Sequence, residues 1–279
     1  MRLDHLELYI QDMDRAYRFY TKTLGLRPVR RQGDTFAALF TAEGGLVLWL
    51  RGTHPPVTGH GAPVVAFFAE GGVEKRRSEL EALGVQFRGP TSVNPGGSEA
   101  WFLDSEGNTL ALYEPAPTRH FREVAEARSM AEMRAMMAAL GREVEAAIAS
   151  LSEAQGSFRP GPEEWSIAEA LSHVIATVNN RAAIIADIGR GVAARRPPFP
   201  VERPGAALAE VRAEVPPCFA HLLDVIDSLG PEPDLDTRFS HPAFGPLNCK
   251  EFLACDDFHT RDHLKQIEAV KAAADFPRS

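Results

Sequence analysis

The sequence changes character near residue 115, and this change limits the possible folds more than any other feature. Residues 1–114 contain short runs of alternating apolar and polar residues, which are typical of β-strands, with brief helical segments between them. Beyond Pro115 the chain is rich in Ala, Leu and Glu at helical spacing. Residues 114–117 are predicted to form a stiff linker, because each proline fixes φ and disfavours helix at the preceding residue. At 279 residues the chain is long enough for two domains, which we place at 1–116 and 121–279.

One pattern of strand, helix and three strands occurs twice in the first part. The first copy is predicted as a strand at 3–10, a helix at 12–25 and strands at 27–32, 35–41 and 45–50. The second copy is predicted as a strand at 62–69, a helix at 73–83 and strands at 85–88, 99–104 and 109–113. The expected fold is therefore α+β, with paired βαβββ modules that form a curled mixed sheet, followed by an all-α bundle.

Three segments of the first part, at 4–10, 12–26 and 104–115, resemble the vicinal-oxygen-chelate superfamily of glyoxalases, extradiol dioxygenases and bleomycin resistance proteins. The resemblance covers about the first 115 residues. It implies the fold but not the chemistry, because this superfamily includes isomerases, dioxygenases, transferases and metal-free binding proteins.

Metal-dependent members of that superfamily hold their ion on the opening strand of each module and on the closing strands. His5 stands at the first of these positions, but Val64 and Ala111 stand at two others, and residues 46–48 offer no ligand. One ligand cannot hold a divalent ion, so this domain is expected to be metal-free. We weigh His60 as a replacement ligand but expect it to be an exposed loop histidine.

Aromatic residues on the predicted strands are candidates to line a small apolar cavity, although core packing explains each of them at least as well. They are Phe36, Trp49, Phe67, Trp101 and Phe102.

The second part is predicted to be a four-helix bundle, because its apolar residues recur at spacings of three and four. The predicted helices lie at about 120–153, 165–189, 206–229 and 248–274. Two of them begin with capping-box spacing, at Ser166 with Glu169 and at Asn248 with Glu251.

Two histidines on the last predicted helix, His259 and His263, are four residues apart and can face one ion. Such a pair is common by chance, so its spacing alone does not establish a metal site. The surrounding segments at 165–173, 241–248 and 259–267 resemble the DinB-like superfamily of metal-binding four-helix bundles, over residues 121–279. The resemblance implies that His173, His259 and His263 bind a divalent metal ion, with Zn²⁺ or Ni²⁺ expected.

Three neutral imidazole ligands leave the ion its full charge and an open position for water or a thiol. The expected function is therefore a metal-dependent thiol S-transferase or hydrolase that acts on a small molecule, and the resemblance implies a low-molecular-weight thiol as one substrate. The catalytic residues are not specified. One alternative is a non-catalytic binding protein that sequesters a toxic or antibiotic ligand. Another is an active glyoxalase or dioxygenase in the first domain, which conflicts with Val64 and Ala111.

Other residues near the predicted triad are also candidates for the site. Cys255 is expected to be a small buried hydrophobe, and His241 a structural residue. Asp256 is equally well explained as a hydrogen-bond partner that orients a ligand histidine or as a solvated carboxylate. His120 and His221 are expected to be surface or packing histidines.

Charge and composition limit the partners and the compartment. A net charge of −8 and a pI near 5.6 argue against a nucleic acid partner. No apolar run is long enough for a membrane span or a signal peptide, and three cysteines fit a reducing compartment, so a cytoplasmic location is expected. A homodimer is expected from both resemblances.

Overall fold

The computed structural model describes residues 5–40, 47–52, 64–162, 164–195, 205–241 and 243–278. The chain divides into two compact units, Met1–Arg119 and His120–Ser279. Each unit has its own hydrophobic core. No helix in the described ranges is both long and apolar enough to cross a lipid bilayer.

The first unit contains two βαβββ modules. The first module consists of β1 (His5–Tyr9), α1 (Met13–Arg18) with a π-helical turn (Phe19–Thr23), β2 (Arg27–Gln32), β3 (Phe36–Phe40) and β4 (Val47–Arg51). The second consists of β5 (Val65–Phe68), α2 (Val73–Ala82), β6 (Ser92–Asn94), β7 (Gly97–Leu103) and β8 (Thr109–Pro115). This order confirms the predicted repeat.

Each module forms a four-stranded mixed sheet of the same topology, β1-β4-β3-β2 in one and β5-β8-β7-β6 in the other. The first and last strands of each module pair in parallel, and the remaining neighbours are antiparallel. The predicted strand at 85–88 is wrong, because only Phe87 makes an isolated bridge there, to Phe102. The apolar residues Val85 and Phe87, which suggested a strand, pack on the core of this unit instead.

The predicted linker at 114–117 is also wrong, because β8 continues directly into α3 (Ala116–Glu126). Pro115 is the last residue of β8, and Pro117 lies in the first turn of α3, where a missing N–H breaks no helical hydrogen bond. The N–H of Ala116 donates to the carbonyl of Gly96 at 3.1 Å, so this backbone is paired.

The second unit is a bundle of four long helices. These are α4 (Met130–Ile148), α6 (Ile167–Ile188), α7 (Leu208–Leu229) and α8 (Cys249–Lys271). Both α4 and α6 pack against α7 and α8, as in a four-helix bundle. A short α5 (Glu153–Ser157) and a hairpin of β9 (Phe239–His241) and β10 (Gly245–Leu247) lie in the connections.

The prediction of one helix over 120–153 is wrong, because the chain breaks between α3 and α4. Ser129 is the N-cap of α4, and its side chain and that of Glu132 form a reciprocal capping box. The capping boxes predicted at Ser166 and Asn248 are confirmed at the starts of α6 and α8.

Candidate metal centre

The packing of α6 against α8 brings His173, His259 and His263 together. The Nε2 atom of His259 lies 3.2 Å from Nε2 of His173 and 3.2 Å from Nε2 of His263. One ligand atom from each residue lies within 4.8 Å of the other two. In the part of the chain that the structure describes, no other group of three or more His, Cys, Asp or Glu has this geometry.

The distances fit a metal ion. Two nitrogen ligands at ~2.1 Å from one tetrahedral ion are about 3.4 Å apart, close to both separations at His259. An ion at the centre of the cluster would accept the Nε2 lone pairs of all three imidazoles at once. The donor set therefore suits a divalent cation, and the cluster could hold one.

Hydrogen bonding at His263 favours the same geometry. Its Nδ1 lies 2.9 Å from Oε1 of Gln266, an acceptor, so we assign the proton to Nδ1. That tautomer leaves the Nε2 lone pair directed to the centre of the cluster. Gln266 was not identified from the sequence, where its place three residues after His263 was the available signal.

The cluster is electrostatically suited to neutral imidazoles. Burial, the nearby charge of Arg181 and the other histidines together lower the pKa of His259 to about 3. Neutral imidazole is the form that binds metal ions. The folded chain therefore holds its central ligand in the binding form.

A groove opens beside His263. It has a volume of about 480 Å³ and is lined by Pro160, Glu164, Trp165, His263, Gln266, Ala269 and Val270. The ring of Trp165 lies 5.1 Å from that of His173 and stacks at 6.0 Å, with an interplanar angle of 11°, on that of His263. A small molecule in this groove would reach the cluster along an apolar wall.

A buried ionic network adjoins the cluster on α6 and α8. Arg181 donates to Oδ1 of Asp256 at 2.7 Å, and its other terminal nitrogen lies 3.3 Å from Nε2 of His241. Asp256 is 1% exposed, so its interpretation as a solvated carboxylate is wrong. His241 stacks on Phe244 and, through Arg181, belongs to the surroundings of the cluster. Arg181 was missed in the sequence, because an arginine on a helix gives no signal of burial.

The remaining candidates in the second unit lie outside the cluster. Cys255 is fully buried, and burial raises the pKa of its thiol to about 12, as expected of a small hydrophobe. His120 packs near the rings of Phe121 and Phe258, and His221 is exposed.

The candidate positions of the first unit do not form a metal site among the described residues. Val64 and Ala111 carry no ligating atoms, His5 is the first residue of β1, and His60 lies outside the described residues. Of the candidate cavity aromatics, Phe102 is fully buried in the core, and the side chain of Trp49 is not described. The other three are partly buried: Phe36, Phe67 and Trp101.

The fold and the site together define a class of protein. It has two domains, a βαβββ repeat and a four-helix bundle, and three converging histidines in the bundle form a candidate metal centre. Residues 2–112 match the family model of the Glyoxalase/Bleomycin resistance protein/Dioxygenase superfamily. Residues 136–267 match the DinB superfamily model. The chain therefore contains one domain of each superfamily. No curated protein matches it.

Several solved structures are similar to part of the chain. A lactoylglutathione lyase from Agrobacterium tumefaciens is 22% identical, with 40% of this chain and 92% of that chain covered, at a TM-score of 0.34. TnmS3, an antibiotic binding protein from Streptomyces sp. CB03234, is 23% identical, with coverages of 42% and 97% and a TM-score of 0.36. A fosfomycin resistance protein from Listeria monocytogenes, complexed with Mn(II), is 18% identical, with coverages of 40% and 88% and a TM-score of 0.35. The family assignment rests on the two family models.

Metal binding should be visible in tryptophan fluorescence. Adding Ni²⁺ or Co²⁺ is expected to quench most of the emission of Trp165, because open-shell ions quench at short range and this ring contacts two of the histidines. The measurement is a titration of wild type and of Trp165→Phe, which keeps an aromatic ring but removes the reporter. Equal quenching in both proteins would place the bound ion elsewhere.

Proposed function

We propose that the protein is a metal-dependent enzyme of small-molecule detoxification or thiol metabolism, with Zn²⁺ or Ni²⁺ held by His173, His259 and His263. The two domain families suggest metal-associated detoxification or resistance in general. The observation that supports the specific proposal is the approach of three Nε2 atoms beside an open groove.

The chemistry follows from a neutral ligand set. When bound, a divalent ion with three imidazole ligands supplies full positive charge and an open position, at which a thiol or water loses its proton near neutral pH. This supports two reaction types, S-transfer from a thiol to an electrophile and hydrolysis.

The surrounding side chains orient the histidines and line the groove for a substrate. Gln266 fixes the tautomer of His263, and Trp165 packs against His173 and His263 so that their rings are held in place. Pro160 and Val270 contribute apolar side chains to the groove, and Glu164 contributes a carboxylate. These contacts would place a small substrate next to the histidines.

We propose the same partners and compartment that the sequence suggests. The acidic net charge argues against nucleic acid and membrane partners, and the three free cysteines fit a cytoplasmic protein that acts on small molecules. A homodimer is proposed from the two domain families.

The enzymatic proposal is tested by turnover. Metal-loaded protein is incubated with a panel of low-molecular-weight thiols, each with an electrophile such as an epoxide or a maleyl compound, and loss of free thiol is followed. We expect turnover to fall at least about a hundredfold in His263→Ala, because the two remaining histidines would not hold the ion. The control is His221→Ala, because His221 is an exposed residue on α7. Equal turnover in His263→Ala and wild type would contradict the proposal.

A non-catalytic sequestering protein is the second candidate, and one feature of the first unit favours it. On the sheet of the second module, Ala66 lies opposite Ala111, which lies opposite Trp101. A sheet face with two small side chains, a partly buried indole and no ligating atoms suits an apolar ligand better than a metal ion. Tight binding of an aromatic antibiotic without turnover across the same panel would favour this function, and Trp101→Ala should then abolish binding.

A further inference from the structure

Buried polar atoms that make no hydrogen bond are concentrated on one turn of α8. Among the described residues four buried side-chain atoms have no partner, and three of them are Oδ2 of Asp256, Nδ1 of His259 and Oγ1 of Thr260. The fourth, Nε of Arg212, lies on α7. Buried polar atoms are nearly always paired with protein or with ordered water, so three on one turn require an explanation.

The three residues share one face of the helix. Residues three and four apart on a helix have Cβ atoms about 5–6 Å apart, so Asp256 is a neighbour of both His259 and Thr260. Thr260 is fully buried. Oδ1 of Asp256 accepts from Arg181 at 2.7 Å, which leaves Oδ2 for another donor.

The tautomer of His259 determines what this face must provide. Its Nε2 lies 3.2 Å from the Nε2 atoms of the two other histidines. If Nε2 binds an ion, the proton of the neutral ring is on Nδ1, which then needs an acceptor. The acceptors without a partner on this face are Asp256 and Thr260.

We propose that Asp256 and Thr260 are positioning residues for His259, acting through one buried water. The water accepts the Nδ1–H of His259 and donates its two hydrogens to Oδ2 of Asp256 and Oγ1 of Thr260. Three hydrogen bonds are typical of a buried water, and these three would satisfy all the atoms without partners on this turn. The inference rests on the proposed metal function, because it assigns Nε2 of His259 to the ion.

The network has a measurable consequence for metal affinity. An acceptor on Nδ1 holds the ring in one orientation and makes Nε2 a stronger donor to the ion. Loss of such an outer partner typically weakens metal binding by about 10–100-fold. A residue that only fills space in the core would not have this effect when replaced by a side chain of equal shape.

The test compares Thr260→Val, which keeps the shape of the side chain, with Thr260→Ser, which keeps the hydroxyl. We measure the dissociation constant for Zn²⁺ by competition with a chelator and the thermal melting of the metal-free proteins. We expect binding about tenfold weaker in Thr260→Val and within about twofold of wild type in Thr260→Ser. Both variants should melt as a folded bundle.

A proton–nitrogen NMR spectrum of the histidine side chains gives a second readout. We expect the Nδ1–H of His259 to be protected from exchange in wild type and Thr260→Ser, and to exchange faster in Thr260→Val. Wild-type Zn²⁺ affinity in a folded Thr260→Val would overturn the proposal, as would a His259 ring protonated on Nε2 in wild type. If wild type binds neither Zn²⁺ nor Ni²⁺, the proposed function fails, and the NMR comparison on metal-free protein still decides whether the network exists.

Discussion

Replacing His259 with alanine is expected to abolish metal binding. Its Nε2 lies 3.2 Å from those of both His173 and His263, so it is the central ligand of the cluster. The loss of an outer hydrogen-bond partner alone weakens a metal site by about 10–100-fold, and the loss of a ligand should exceed about a hundredfold. Metal analysis of protein purified without an affinity tag should find about one ion per wild-type chain and almost none in His259→Ala.

The matched control is His221→Ala, which removes an exposed imidazole from α7 and leaves the cluster intact. Its metal content should equal that of wild type. Full metal occupancy in His259→Ala, with circular dichroism unchanged, would show that the ion binds elsewhere and would remove the basis of the enzymatic proposal.

Breaking the buried ion pair between Arg181 and Asp256 should have the largest effect on stability. In Arg181→Met the carboxylate of Asp256 is left in a site that is almost closed to solvent. Removing one partner of such a pair costs about 3–5 kcal/mol, whereas replacing both partners with apolar residues is often neutral. Urea unfolding should therefore show a large loss in Arg181→Met and recovery of most of it in the double variant with Asp256→Leu.

The cost of Arg181→Met should also depend on pH. Burial raises the pKa of Asp256 to about 6 although Arg181 opposes the shift, so without Arg181 the pKa should rise further. A carboxyl group whose folded pKa lies above its unfolded pKa contributes stability that is present at low pH and is lost as the pH rises through the folded pKa. The destabilisation should therefore be smaller near pH 5 than near pH 8. A pH-independent loss would show that the carboxyl group does not change its protonation in the variant.

Regular repetition made much of the fold predictable. The βαβββ pattern occurs twice, and tight turns such as that at residues 104–108 separate its strands, so the element order followed from local signals. The predicted starts of α6 and α8 were correct because a capping box is a short, local sequence pattern. The prediction of one long helix over 120–153 was wrong. The apolar spacing continues across Ser129, but the capping box of Ser129 begins a new helix there.

The parts of the site that sequence did not reveal depend on contacts between distant segments. The spacing of His259 and His263 is local, but His173 is 86 residues from His259 and was assigned through a family resemblance. Arg181 and Asp256 are 75 residues apart, and neither shows its partner in the sequence. The groove beside Trp165 joins the segment before α6 to the end of α8, and only the folded chain brings these together.

All three histidines belong to two of the four long helices, because α6 supplies His173 and α8 supplies the other two, while α4 and α7 supply none. An ion held there would act as a cross-link between one pair of helices. Because it would bind only the folded arrangement, it would add about 2.7 kcal/mol to the free energy of unfolding at a hundred times its dissociation constant. Cellular metal supply would then govern the lifetime of the protein as well as its chemistry.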